Sequence, residues 1–273
     1  MPILEARHDF AHPVEADTAW SESYYFNAYD PESDTGIFTR IGIRPNEGTM
    51  DVGLSAWLPG RDLAVVHGTR PQDTMTDSDL AVAGVRYERL VPMQEWRITA
   101  DAEAVVRDLS GQRAPRRSRL ALDMRFHGLA PAIGTDGESR AGAGASDATR
   151  ATVAKGHLEQ AGRWSGWIEV DGVRLTLAAA RGNRDKSWGP RRWGGPRMWR
   201  WFSINVGDDT HLGGHPYRHR GGRPPPRLGV ARRGAREHPP LGRPHPARAR
   251  WPHARDDPRA GHGRPRARPR ARR

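Results

Sequence analysis

The chain has 273 residues, a net charge of +12, no cysteine, ten tryptophans and 23 prolines. The missing cysteine excludes disulfides, a thiolate metal site and a cysteine nucleophile, and it points to a cytoplasmic setting. No stretch approaches the ~20 apolar residues that a membrane helix needs, and the first residues hold no apolar run of signal-peptide length.

Read from the N-terminus, His8 and His12 lie four apart in an irregular stretch before Pro13 and are expected at the surface. The first strand is Trp20-Ser21-Glu22-Ser23-Tyr24-Tyr25-Phe26-Asn27. On a strand, Glu22, Tyr24 and Phe26 share one face, and Ser23, Tyr25 and Asn27 share the other. A carboxyl buried among aromatic rings is favoured in its protonated form and makes a usable general acid. A first strand with aromatic core packing and a solvated Glu22 accounts for the same residues. Ile37, Thr39, Ile41 and Ile43 form the next stripe, which pairs with Tyr24–Tyr29 across the loop at residues 30–36. Arg40 and Arg44 lie on its other face with Phe38 and Gly42. They suit a carboxylate inside a barrel, an acidic ligand, or plain solvent.

Val52, Leu54, Ala56 and Leu58 alternate with less apolar neighbours. So do Trp96, Ile98 and Ala100, and Leu120, Leu122, Met124 and Phe126. These are half-buried strands with one face toward a core. Short helices are expected near Asp73–Leu80 or Ala100–Leu109. Residues 131–150 are rich in Gly, Ala, Ser and Asp and read as a flexible linker. A second strand-rich unit then starts near Thr152. Its clearest element is a hairpin, Trp164–Val170 and Val173–Ala179, joined by Asp171-Gly172, which supplies the positive φ angles of a two-residue turn. His157 and Glu159 alternate on a strand and make a weak metal pair.

The densest charged segment is Arg181–Trp193, placed after a strand and before the Trp-rich strand Met198–Val206. Asp185 is expected to ion-pair with Arg184 or Arg191, and Trp188 to cap a barrel mouth. The same residues fit a structural corner in which an Arg stacks on a Trp and bridges to an Asp. There is no Gly-rich phosphate loop, no Gly-x-Ser-x-Gly elbow and no His-Glu-x-x-His.

At Gly214 the pattern stops. Residues 214–273 hold 18 Arg, no Lys, 12 Pro and three acidic residues, a net +15, which leaves residues 1–213 at −3. Such a tail fits a disordered basic arm for nucleic acid or acidic lipid, a solvated extension, or a shifted reading frame. Dropping one base from the codons of His215–Arg220 restores a strand-like alternation, and the frameshift is the preferred reading.

Arg184-Asp185-Lys186-Ser187-Trp188-Gly189-Pro190-Arg191, with Glu159-Gln160-x-Gly162-Arg163, Asp171-Gly172, Glu22–Asn27 and Phe38–Gly48, resembles bacterial proteins related to carotenoid hydratases (hydroxyneurosporene synthase) and to AttH. The group's motif carries His where Lys186 stands, which weakens a proton-transfer role there. The resemblance covers roughly residues 5–213. It implies an all-β chain of tandem lipocalin-like antiparallel β-barrels: residues 1–150 with linker 131–150, then an incomplete second domain at 151–213. The composition adds a disordered Arg/Pro-rich tail at 214–273.

The resemblance also implies the function: hydratase-like binding, with modification as a further step, of an apolar isoprenoid- or lipid-like molecule in a barrel cavity. Glu22 is the expected acid. Tyr24, Arg40, Trp188, Arg191 and Trp201 are the expected ligand contacts, and Arg184 and Asp185 a structural cluster. No cofactor and no metal are expected. The alternatives are a carrier without chemistry and non-specific nucleic-acid binding through the tail.

Overall fold

The computed structural model describes residues 4–138, 153–192, 196–199, 201–207, 209–214, 217–219 and 229–232. Twelve strands form one antiparallel sheet: β1 (Trp20–Asp30), β2 (Thr35–Arg44), β3 (Thr49–Leu58), β4 (Asp62–Pro71), β5 (Leu80–Val82), β6 (Val85–Val91), β7 (Glu95–Asp108), β8 (Arg116–Gly128), β9 (Ile133–Thr135), β10 (Gly156–Val170), β11 (Val173–Leu177) and β12 (Arg181–Pro190). Eight of them close a ring in chain order: β1, β2, β3, β4, β7, β8, β10 and β12, with β12 returning to β1. This is an eight-stranded up-and-down barrel, the architecture of lipocalins. Closure removes the exposed edges that an open sheet of this size would leave. No described helix is long and apolar enough to cross a membrane.

The alternation read from the sequence becomes the inside and outside of the ring. Ile37, Ile41 and Ile43 of β2, Val52 and Leu54 of β3, Trp96 and Ile98 of β7, and Leu120, Leu122, Met124 and Phe126 of β8 are all buried. They join Tyr24, Phe26, Trp164 and Ile168 in one hydrophobic core. Phe26 contacts the rings of Tyr87, Trp96, Phe126 and Trp164 at centroid distances of 5.3–5.9 Å. Side chains of these strands therefore meet across the interior of the ring, and the two hollows described below lie on its outside. The Asp171-Gly172 turn has φ angles of 55° and 76°, as its two residues require. At the same end, the buried Asp30 carboxylate accepts the backbone N–H groups of Ala178 (2.6 Å), Ala179 (3.0 Å) and Glu32 (2.9 Å), which ties the β1–β2 loop to the entry of β12.

Three expectations change. The divide at residue 150 falls inside the ring. Residues 156–163 of β10 pair with β12 and residues 162–170 pair with β8, so strands from both sides of the Gly-rich stretch complete a single barrel. Ala100–Leu109 is not helical. Residues 100–106 pair with β8 and bury Ala104 and Val106, so tertiary pairing overrides the local alanine-rich composition. Arg181–Pro190 is a full strand and not a corner, because both its neighbours, β1 and β10, take up its backbone.

Beyond the ring, β13 (Pro196–Trp199) pairs with β16 (Tyr217–His219), and β14 (Phe202–Val206), β15 (Thr210–Gly214) and β17 (Gly229–Arg232) form a small sheet. Short stretches of the basic segment are thus strands. The rest of the tail expectation lies outside the described residues.

Candidate functional site

Strand β12 sends its side chains alternately to the two faces of the barrel wall, and both faces carry charge. Inward go Arg184, Lys186 and Trp188, all buried. A buried cation without a partner is strongly unfavourable, and the partners come from the N-terminal segment, which crosses the end of the barrel. Arg184 Nη1 donates to Asp9 Oδ1 at 2.5 Å, and Arg184 Nε donates to Gln160 Oε1 at 2.7 Å. Asp9 also accepts from the Met93 N–H at 2.6 Å, and its backbone carbonyl accepts from Arg89 Nη2 at 2.7 Å. Lys186 Nζ donates to Glu22 Oε1 and to the Phe10 carbonyl, the latter at 2.8 Å. Glu22 accepts the His12 N–H at 2.9 Å and contacts His12 Nδ1 at 2.9 Å. Trp188 stacks on His12 with centroids 3.8 Å apart and planes within 8°. Phe10 lies 4.1 Å below the Arg89 guanidinium.

Burial lowers the pKa of Lys186, with Glu22 opposing, and lowers that of Arg184, with Asp9 opposing. Burial also raises the Tyr24 hydroxyl well above its usual range. The cluster is a charge-matched plug. Glu22, expected as the acid, is fully buried and consumed in an ion pair. Tyr24 and Trp188, expected against a ligand, face the filled interior and the plug. His8 and His12, expected at the surface, belong to that plug: His8 is 3% exposed.

The outer face is different in kind. The register aligns Tyr25 of β1, Asp185 of β12 and Glu159 of β10 in one row across three strands. His157 Nε2 lies 3.0 Å from Asp185 Oδ2 and 3.7 Å from Glu159 Oε1. Trp201 Nε1 donates to Glu159 Oε1 at 2.7 Å, and the Trp201 ring meets Tyr25 edge-on at 5.1 Å. Tyr25 in turn stacks with Phe38 at 5.9 Å. Arg191 Nη2 donates to Ser187 Oγ at 2.9 Å. Arg40 donates to Ser23 Oγ at 2.8 Å and to Asp51 Oδ2 at 2.7 Å. Burial alone would lower the His157 pKa. The bonded Asp185 carboxylate and then Glu159 more than offset it, and the imidazole is held above its ordinary value. Burial lowers Arg191, with Asp185 opposing.

A cleft of about 300 Å³ opens between the barrel wall and β14, further along β1 and β12 from this row. Asn27, Tyr29, Arg181, Ser203 and Asn205 line it. A smaller hollow shares Ser203 and Asn205 and reaches Glu159, Asn183 and His211.

The structure thus splits the residues singled out by sequence. Arg40, Asp185, Arg191 and Trp201 gather on the outer face, and Glu22, Tyr24, Arg184 and Trp188 lie inside. The proposed Arg184–Asp185 pairing gives way because adjacent strand residues point to opposite faces. His157 and Glu159 are at the outer site although they read only as a weak metal pair. Asp9, His12, Arg89 and Gln160 were not singled out for the inner network. Their signal was indirect: two cations at alternate positions of a buried strand demand buried acceptors.

A family model described as a domain of unknown function, DUF7064, matches residues 5–239. No curated protein matches. Among solved structures, the chain is similar to a protein assigned as AttH from Nitrosomonas europaea (17% identity, TM-score 0.48, 82% of this chain and 67% of that one). It is also similar to CghA (11%, 0.46, 80% and 59%) and to kievitone hydratase from Nectria haematococca (12%, 0.48, 79% and 61%). It therefore spans less than two thirds of the latter two chains. By the match over residues 5–239, the chain belongs to the DUF7064 family.

Proposed function

We propose that the protein binds an unsaturated, isoprenoid- or lipid-like small molecule on the outer face of its barrel and adds water to it, in the manner of a hydratase. The observation that carries this reading is the 3.0 Å contact of His157 with Asp185 on the outer face, together with the Tyr25–Trp201 ring pair. A positioned acid with a perturbed pKa is a mark of proton-transfer chemistry. In this scheme Asp185 orients the His157 imidazole and favours its charged form. The imidazolium gives its proton to one alkene carbon. The faces of Tyr25 and Trp201 stabilise the cation left on the other carbon. Water adds there, and neutral His157 takes the proton that the water loses. One water is consumed and His157 returns to its starting charge. Arg40 and Arg191 hold the polar end of the molecule.

The test is turnover of isoprenoid alkenes by Asp185→Asn and Glu22→Gln variants that keep their circular dichroism. Loss in the first with retention in the second supports the outer site. Tight binding with no product from any variant or from the parent chain makes the protein a carrier.

For residues 214–273 we propose a shifted reading frame, supported by 18 Arg with no Lys, with β14 and β15, which come before the break, as the start of a further β unit. Sequencing the coding DNA across codons 213–215 decides this. If the frame is continuous, the tail is expected to bind nucleic acid non-specifically, with affinity that falls steeply with salt.

A further inference from the structure

We propose that His157, Glu159 and Asp185 form a binding site for a divalent transition metal, Zn²⁺ in the first instance. The inference does not depend on the proton-transfer reading: it uses the same His157 Nε2 and Asp185 carboxylate, so a bound ion and the charged imidazole are alternatives. One ligand atom from each of the three side chains lies within 4.8 Å of the other two. From His157 Nε2 the separations are 3.0 Å to Asp185 and 3.7 Å to Glu159. A tetrahedral zinc with bonds of about 2.0–2.2 Å holds its ligand atoms roughly 3.3–3.6 Å apart. These two separations bracket that range, and the third, between the carboxylates, is within 4.8 Å, so shifts of about an ångström complete a three-ligand set.

The scaffold restricts those shifts. His157 and Glu159 are two apart on β10, and Asp185 faces Glu159 directly across the β10–β12 ladder. All three side chains are mostly withdrawn from solvent, at 16%, 5% and 17% exposure. Two carboxylates neutralise a divalent ion, while the imidazole favours zinc over magnesium or calcium. The Trp201 N–H bond to Glu159 orients that carboxylate from outside the metal, as outer partners do in metal sites. Arg191 beside Asp185 works against the ion and sets the affinity below that of a closed structural site.

The test is isothermal titration of the full chain with Zn²⁺. Six histidines fall in residues 214–273 and bind zinc on their own account, so the readout is a difference between proteins. The parent chain is expected to bind one more equivalent than His157→Ala. Glu159→Gln and Asp185→Asn are each expected to weaken that same equivalent at least tenfold. Circular dichroism controls for folding, and Glu159→Gln, which keeps shape, guards against a collapsed His157→Ala. Equal stoichiometry and affinity in all four proteins would overturn the site.

Discussion

Lys186→Met should destabilise the barrel severely, and a second change should restore much of the loss. Lys186 is fully buried and supplies a donor to Glu22, which is itself fully buried. Methionine has a similar volume and keeps the contacts with Tyr24 and Trp188, whose ring centroids lie 5.2 and 4.8 Å from the ammonium. The loss is therefore electrostatic. Glu22 would keep only the His12 N–H and the His12 ring as partners. Removing one member of a buried pair costs about 3–5 kcal/mol, because a charge is left uncompensated. With a urea dependence of roughly 2–3 kcal/mol per molar for a domain of this size, the midpoint should fall by about 1–2 M. The assay is urea unfolding followed by tryptophan fluorescence. In the double variant Lys186→Met, Glu22→Gln no charge is stranded, and at least half the loss should return, as a positive coupling in a double-mutant cycle. A single variant that loses less than about 1 kcal/mol would refute the reasoning. So would a double variant no better than the single one.

Asp185→Asn should change how stability depends on pH. The folded pKa of His157 is raised by Asp185, so the contact contributes fully below the unfolded value of about 6.5 and fades as pH rises through the folded value. Thermal melts at pH 5.5 and 8.5 should show a loss in the variant at the acid end and little at the other; an equal loss at both would count against the pairing. Asp30→Asn has the opposite sign. Burial raises this carboxyl, but four backbone N–H donors reverse that and hold its pKa below the usual carboxylate range. Its contribution is present at neutral pH and lost as pH falls through the folded value, so the variant should cost about 2–4 kcal/mol at pH 7 and much less in acid. Gly182→Ala should disrupt the β1–β12 seam, because an added Cβ would run into the Asn27 carbonyl oxygen. Hydrogen exchange of residues 181–190 reads this, and unchanged protection would contradict the close approach.

The strands of the ring were legible because binary alternation is local: Leu120, Leu122, Met124 and Phe126 announce their face within seven residues. The Asp171-Gly172 hairpin was legible for the same reason. Ring closure was not, since it pairs Trp20 with Pro190 and depends on a register that no short window contains. The Gly-rich stretch before residue 150 reads as a domain boundary by composition, yet it joins two strands, β9 and β10, of one sheet. The inner network was hidden because Asp9 and His12 sit in an irregular segment without periodicity. Their burial follows from the demand of Arg184 and Lys186 for acceptors, which appears only once β12 is known to be a strand and not a corner. On the outer face, Asp185 was singled out while His157 read only as half of a weak metal pair with Glu159, because its contact with Asp185 is across strands.

On this reading, ligands are held on the outer face of the barrel and not within it. A photoreactive isoprenoid alkene, bound and irradiated, with the adducts located residue by residue by mass spectrometry, tests this directly. Labelling is expected at Tyr25, Asn183, Trp201 or Asn205. Labelling at Tyr24, Phe126 or Trp164, inside the ring, would contradict it.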